Sequence, residues 1–180
     1  MFDPWSPPKG VSLELRDDGF RCVASTYALA SLGFVLFASL WALIGLIVVG
    51  PLIEKRIWFV LVPYLGGLVL VVAQALQATI GRVVITRNGD EGTASSGFWF
   101  LRRSKKFRWS RVIAVHEGDA HMGPKGGPPF QLIYLRILGE KKDETFKFGL
   151  HLPDERRHWV IALIGWQAQS TCNSPFLRLK

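Results

Sequence analysis

The chain has 180 residues, a formal net charge of +8, and two cysteines, Cys22 and Cys172, near opposite ends. That length gives one domain, or one domain with an attachment. Two such distant cysteines exclude a disulfide framework and lack metal-site spacing, and in a reducing compartment both are expected as free thiols.

Charge is unevenly distributed. No charged side chain occurs among the 32 residues Cys22–Ile53 or the 25 residues Ile57–Gly81, and only Glu54, Lys55 and Arg56 separate the two runs. A hydrocarbon core about 30 Å thick takes roughly 20 apolar residues in a helix, so each run is long enough to span it. Core helices of a soluble protein keep a polar face, and these runs have none. A secretory signal fits poorly: Asp3, Glu14, Asp17 and Asp18 interrupt the basic residues before the first run, which is also far too long. The expected division is an N-terminal segment over residues 1–21 and a transmembrane helical hairpin over 22–81, with spans about 24–49 and 57–80. A β domain over 82–170 and a tail over 171–180 follow.

Two crossings return the chain to the side it started from. Arg16 and Arg21 precede the first span and Arg82 and Arg87 follow the second, against Lys55 and Arg56 in the turn. Basic residues beside spans favour the cytoplasm, so both termini are expected there, with the chain in the cell (inner) membrane.

Within the hairpin, Ala38, Ala42 and Gly45 fall at i, i+4 and i+7, and Gly66, Gly67 and Ala73 offer a second smooth surface. Small residues let backbones approach closely in lipid. Packing of the hairpin on itself is expected, with a partner's helix as the alternative. Gln74 and Gln77, one turn apart, are expected to pair across helices. Trp58 and Tyr64 are the expected interfacial anchors. Neither span contains an ionisable residue of the kind an ion path or proton relay uses, so an anchor is expected rather than a conduit.

After Gly81 the pattern changes to short runs rich in β-branched and aromatic residues. Strands are expected at Arg82–Arg87, Glu91–Leu101, Lys105–Trp109, Arg111–Glu117, Phe130–Ile137 and Glu144–Phe148. Asn88-Gly89-Asp90 marks a turn, and Gly118–Pro129 a Gly/Pro-rich loop. A helix from about Pro153 to Gln169 opens with Asp154 and Glu155 at its positive end. Its apolar face, with Trp159, Val160, Leu163, Ile164 and Trp166 beside Gln167, needs a sheet to cover. The expected fold is a membrane helical hairpin plus a small β-rich (α+β) domain. Six or seven antiparallel strands are capped by a C-terminal helix.

The succession "LELRDDGF", a hairpin, "GRVVITRNG", "RWSRVIAV", "FQLIYLRI", "TFKFG" and "LPDERRHWVIAL" resembles the bacterial membrane-anchored pleckstrin-homology-like domain proteins. The resemblance covers nearly the whole chain from about Leu13 and implies a PH-like fold. It implies no activity, since those proteins share none. In layout alone, the chain also resembles photosystem assembly factors built from a hairpin and a soluble β domain.

Arg102, Arg103, Lys105, Lys106, Arg108 and Arg111 fall within ten residues that contain no acid. Beside a membrane such a run is suited to anionic headgroups, at about 1 kcal/mol per basic residue near the surface. A solvated basic loop is the plain alternative. Net charge with Trp99, Phe100 and Phe107 nearby raises nucleic acid, but those aromatics are expected in the core and the tether argues against it. His116, Glu117, Asp119 and His121 are the one compact group of potential ligands, and no regular element aligns them, so no metal site is expected. "GPKGG" lacks P-loop spacing and no G-x-S-x-G occurs. No catalytic residue and no cofactor are expected. The expectation is a non-enzymatic, membrane-tethered binding or scaffold module for a protein partner, with Trp99 and Trp109 contributing if exposed. The alternative is an accessory or assembly subunit of a membrane complex, held through its helices.

Overall fold

The computed structural model describes residues 3, 5–27, 31–54, 57–98, 102–120, 130–139 and 142–171. Period-two alternation begins at Val11. Strand β1 (Val11–Arg16) turns at Asp17-Asp18 into β2 (Gly19–Ser25), antiparallel from Val11↔Ala24 to Arg16↔Gly19. Phe20, Cys22 and Ala24 point inward and are buried, whereas Arg21, Val23 and Ser25 are half-exposed. Residues expected as a separate segment, and Cys22–Ser25 expected as the start of the hairpin, are therefore part of the β domain. An uncharged stretch looks the same whether it is a buried strand or the first turns of a span.

The two long helices follow, α1 (Ser31–Glu54) and α2 (Trp58–Ile80), each long and apolar enough to cross a membrane. Strand β3 (Arg82–Asn88) then pairs directly with β2, from Ser25↔Arg82 to Gly19↔Asn88. The helical hairpin is thus an insertion between two neighbouring strands of one sheet. β4 (Glu91–Gly97) and β5 (Arg103–Arg108) complete this sheet in the order β1-β2-β3-β4-β5. A single 3-10 turn (Trp109–Arg111) leads to a second sheet of β6 (Val112–Ala120), β7 (Phe130–Ile137) and β8 (Glu144–Phe148), in that order. All pairings are antiparallel, and α3 (Asp154–Thr171) closes the domain.

Among the described residues eight strands stand where six or seven were expected, and the N-terminal pair makes the difference. The core lies between the sheets and α3. Trp109, Ile85, Ile133 and Leu135 meet Val160, Leu163 and Ile164 there, all essentially inaccessible to solvent. Trp166, assigned to the buried face of the helix from its spacing, is 42% exposed and sits beyond the sheet's cover.

Register gives the domain two poles. β2 ends, β3 starts and β4 ends beside the hairpin, whereas the turns 16–19, 88–91 and 109–111 gather at the other end with the end of β7 and the start of β8. Strands of six or seven residues separate the poles by about 20 Å.

The junction with the hairpin is a built stem. The Thr26 hydroxyl lies 2.8 Å from both Gln77 O and Gly81 O, and Thr26 N donates to Gly81 O at 3.1 Å. Arg156 of α3 collects the carbonyls of Lys9 (2.7 Å), Ser25 (2.7 Å) and Tyr27 (2.6 Å). Gly10, at φ +87°, makes room for it: a Cβ there would lie 2.6 Å from the guanidinium carbon. Thr26→Val is expected to cost only about 1 kcal/mol, because both carbonyls keep another donor, Gly81 N–H on Gln77 O and Thr26 N–H on Gly81 O. Gly81→Val should cost far more, since its Cβ would lie 2.1 Å from Gln77 O. Denaturant titrations of the two variants in detergent check this order, and equal losses would contradict it.

Candidate binding surface

β5 carries the basic run away from the hairpin. Arg103 pairs with Ser96 near the stem, and Arg108 with Glu91 at the far turn. Five residues of strand put roughly 16 Å between them, well beyond a Debye length of about 8 Å at physiological salt. The six basic residues therefore do not act as one patch. Arg102 and Arg103 stay at the hairpin pole, where Arg102 donates from Nη2 to the buried Ser95 hydroxyl at 2.6 Å. Lys106, Arg108 and Arg111 belong to the far pole.

There they line a cleft of about 1200 Å³ between β5 and the β7–β8 turn. Arg16 and Lys142 add to its basic side, and Phe107, Ile137 and Leu138 supply apolar surface. Three acids also line it. Two are engaged: Glu144 with Lys105, and Asp143 with Arg136 at 2.8 Å. Lys106, Arg108, Arg111 and Lys142 form no ion pair among the described residues.

Asp90 fixes the rim. Its carboxylate accepts Ser110 N–H and Ser110 Oγ–H, each at 2.8 Å, and its carbonyl accepts Trp109 N–H at 2.8 Å. The Ser110 backbone N–H foremost, then the Ser110 hydroxyl and the Arg108 and Arg87 charges, hold this carboxyl below the ordinary carboxylate range.

The His116 group disperses. His116 stacks on Tyr134 with ring centroids 5.5 Å apart, Glu117 turns to Arg157 and His158, and the Asp119 carbonyl accepts Tyr134 O–H at 3.1 Å. Successive strand residues face opposite ways, so neighbours in sequence cannot converge. No group of three or more potential metal ligands forms among the described residues. His121, Trp99, Phe100, most of the Gly118–Pro129 loop and the tail from Cys172 lie outside them. Trp109 has no accessible surface, so it serves the core and not a binding face. Cys22 is equally buried, and its thiol is pushed up to about 12 by that burial, which removes it from thiolate chemistry.

The hairpin uses part of its small-residue stripe. Ala38 and Gly45 are buried, and Gly45 accepts the Tyr64 ring, whose hydroxyl donates to Trp41 O at 2.5 Å. Tyr64 is thus a seam residue, not an interfacial anchor. Gly67 faces Trp41, but Ala42 is exposed and Gly66 meets open space. Gln74 pairs with the β domain and not with the other helix: its Oε1 lies 3.0 Å from His151 Nε2, which donates to it. Gln77 contributes its backbone carbonyl to Thr26.

His151 also meets Phe34 edge-on at 5.7 Å, so it locks the loop before α3 onto both helices. Burial lowers its pKa from 6.5, hence it is neutral when docked. Its contribution is complete above pH 6.5 and is lost as pH falls from there through the lower folded value. Thermal midpoints of the wild type should therefore drop more steeply below about pH 6.5 than those of His151→Phe; parallel curves would refute the assignment. Thr26, His151, Arg156 and Arg157 had no signal in the sequence, because a buried partner-laden polar residue is spelled like a surface one.

No protein-family model, curated protein or solved structure matches this chain.

Proposed function

We propose that the chain is a membrane-tethered, non-enzymatic binding or scaffold module that presents a cytoplasmic PH-like domain to a protein partner. The carrying observation is the insertion of the hairpin between β2 and β3, which ties one pole of the domain down and leaves the cleft on the other. That β1 and β2 share a sheet with β3 supports a reading in which the segments before and after the hairpin lie on one side of the bilayer. Arg16, Arg21, Arg82 and Arg87 on that side, against Lys55 and Arg56 in the turn, favour the cytoplasm. The order of hairpin, strands and closing helix supports the PH-like resemblance. Anionic headgroups assist at Arg102 and Arg103, the two members of the run near the stem.

A second reading, an accessory or assembly subunit held through its helices, is favoured by an apolar groove of about 640 Å³ beside Ala42, Gly45 and Gly50. Photo-crosslinking in native membranes separates the two. A photoreactive residue replacing Lys106 should capture a discrete protein, and one replacing Ala42 should not. Capture only from Ala42 would sink the module and install the subunit.

A further inference from the structure

β5 and β8, like β1 and β6, are edge strands of their sheets, each paired on one side only among the described residues. At the hairpin pole Gly149 N–H, just after β8, reaches Ser96 Oγ of β4 at 3.4 Å, and further along the Lys105 side chain of β5 meets that of Glu144 in β8. Beyond that bridge β8 has ended, and the cleft opens between β5 and Leu138, Gly139, Lys142 and Asp143. An unpaired edge leaves alternate backbone N–H and C=O groups pointing into this space.

We infer that this cleft is a docking site for an extended acidic segment of a partner protein, which adds a strand to the free edge of β5. The inference rests on the module reading and names the partner's chemistry. Main-chain pairing along Lys105–Arg108 would supply the affinity, as in strand addition generally. Lys106, Arg111 and Lys142, which form no ion pair among the described residues, would receive the carboxylates, joined by Arg108, whose charge also acts on Asp90. Leu138, 54% exposed, gives the alternate side chains an apolar contact, with the buried Phe107 and Ile137 at the base of the cleft. Charge also rules out the nearest competing occupant. A second copy would set the Lys105–Arg108 edge against itself in a chain of net charge +8, and like charges on an edge repel such pairing. The lipid surface is excluded by position, since the cleft lies at the pole opposite the hairpin.

The test uses the full chain in nanodiscs of neutral phosphatidylcholine. The probe is a fluorescent peptide of alternating glutamate and valine, compared with its lysine–valine counterpart and with a version N-methylated at alternate residues. The glutamate–valine peptide should bind, the lysine–valine peptide should not, and N-methylation should weaken binding because it removes main-chain donors. Lys106→Glu with Arg108→Glu should weaken binding about tenfold or more. Both side chains are exposed, and an unchanged melting curve shows that the variant folds. Equal binding of the N-methylated peptide, indifference to the charge reversal, self-association in place of peptide capture, or no binding overturns the proposal. If the peptide fails while crosslinks from Lys106 persist, the module stands and only this partner chemistry falls. If both fail, the module falls with it.

Discussion

Arg157→Ala should remove about 3 kcal/mol from the stability of the β domain, at the lower end of the 3–5 kcal/mol lost when one partner of a buried ion pair is deleted. The side chain is 4% exposed, and four of its five N–H donors are directed at acceptors. Nε reaches Glu117 Oε1 at 2.5 Å, Nη1 reaches Leu152 O at 2.9 Å, and Nη2 reaches Asp154 Oδ1 at 2.6 Å as well as Gln131 Oε1. It thereby ties the first turn of α3 to β6, β7 and the loop that bears His151. Truncation leaves the Leu152 carbonyl short of a donor and Glu117 short of its main countercharge. The loss stays near the lower bound because Glu117 keeps 26% of its side-chain surface in water and retains His158 at 3.0 Å.

Arg157→Lys should recover only part of this, since a single ammonium cannot replace a planar fork aimed at four acceptors. Arg157→Met combined with Glu117→Leu should recover more than Arg157→Met alone, because the stranded carboxylate is then gone. Guanidinium titrations of the detergent-solubilised chain read these differences. Wild-type stability in Arg157→Ala would show that the network is ornamental to the fold.

The sequence exposed the strands whose inward residues are large and alternate. Phe130–Ile137 and Glu144–Phe148 have the bounds that their alternation gives, because Ile133, Leu135 and Ile137 on one and Phe146 and Phe148 on the other leave no second register. The hairpin was legible from its lack of charge, but its first helix starts at Ser31 rather than near residue 24. Cys22–Ser25 is as uncharged as lipid-facing chain, and only pairing with Arg82–Ile85 reveals it as strand. The basic run was plain as composition, yet its division between the two poles depends on its running along a strand. Nor does composition show that Lys105 and Glu144 meet across 39 positions while Lys106, next to Lys105, meets no acid among the described residues.

The other large effect is expected at Trp109, whose replacement by Ala should cost about 3–5 kcal/mol. The indole has no exposed surface and packs against Phe20 at 5.8 Å and Phe107 at 5.2 Å between centroids. It stands on the 3-10 turn that joins the two sheets, so the void would open where they converge. In a domain of roughly 100 residues each kcal/mol shifts the melting point by about 4–8 °C, which puts the expected fall above about 12 °C. Trp109→Phe should lose much less. The smaller ring keeps both aromatic neighbours, and it removes a buried indole N–H that has no acceptor among the described residues. The variants also separate core from cleft, because Phe107 contributes to both. Trp109→Ala should loosen Phe107 and weaken capture of an acidic strand even below its own melting point, while Trp109→Phe should leave capture intact. If Trp109→Ala melts early but binds the peptide like the wild type when cold, the cleft does not depend on the core beneath it, and the coupling drawn through Phe107 is wrong.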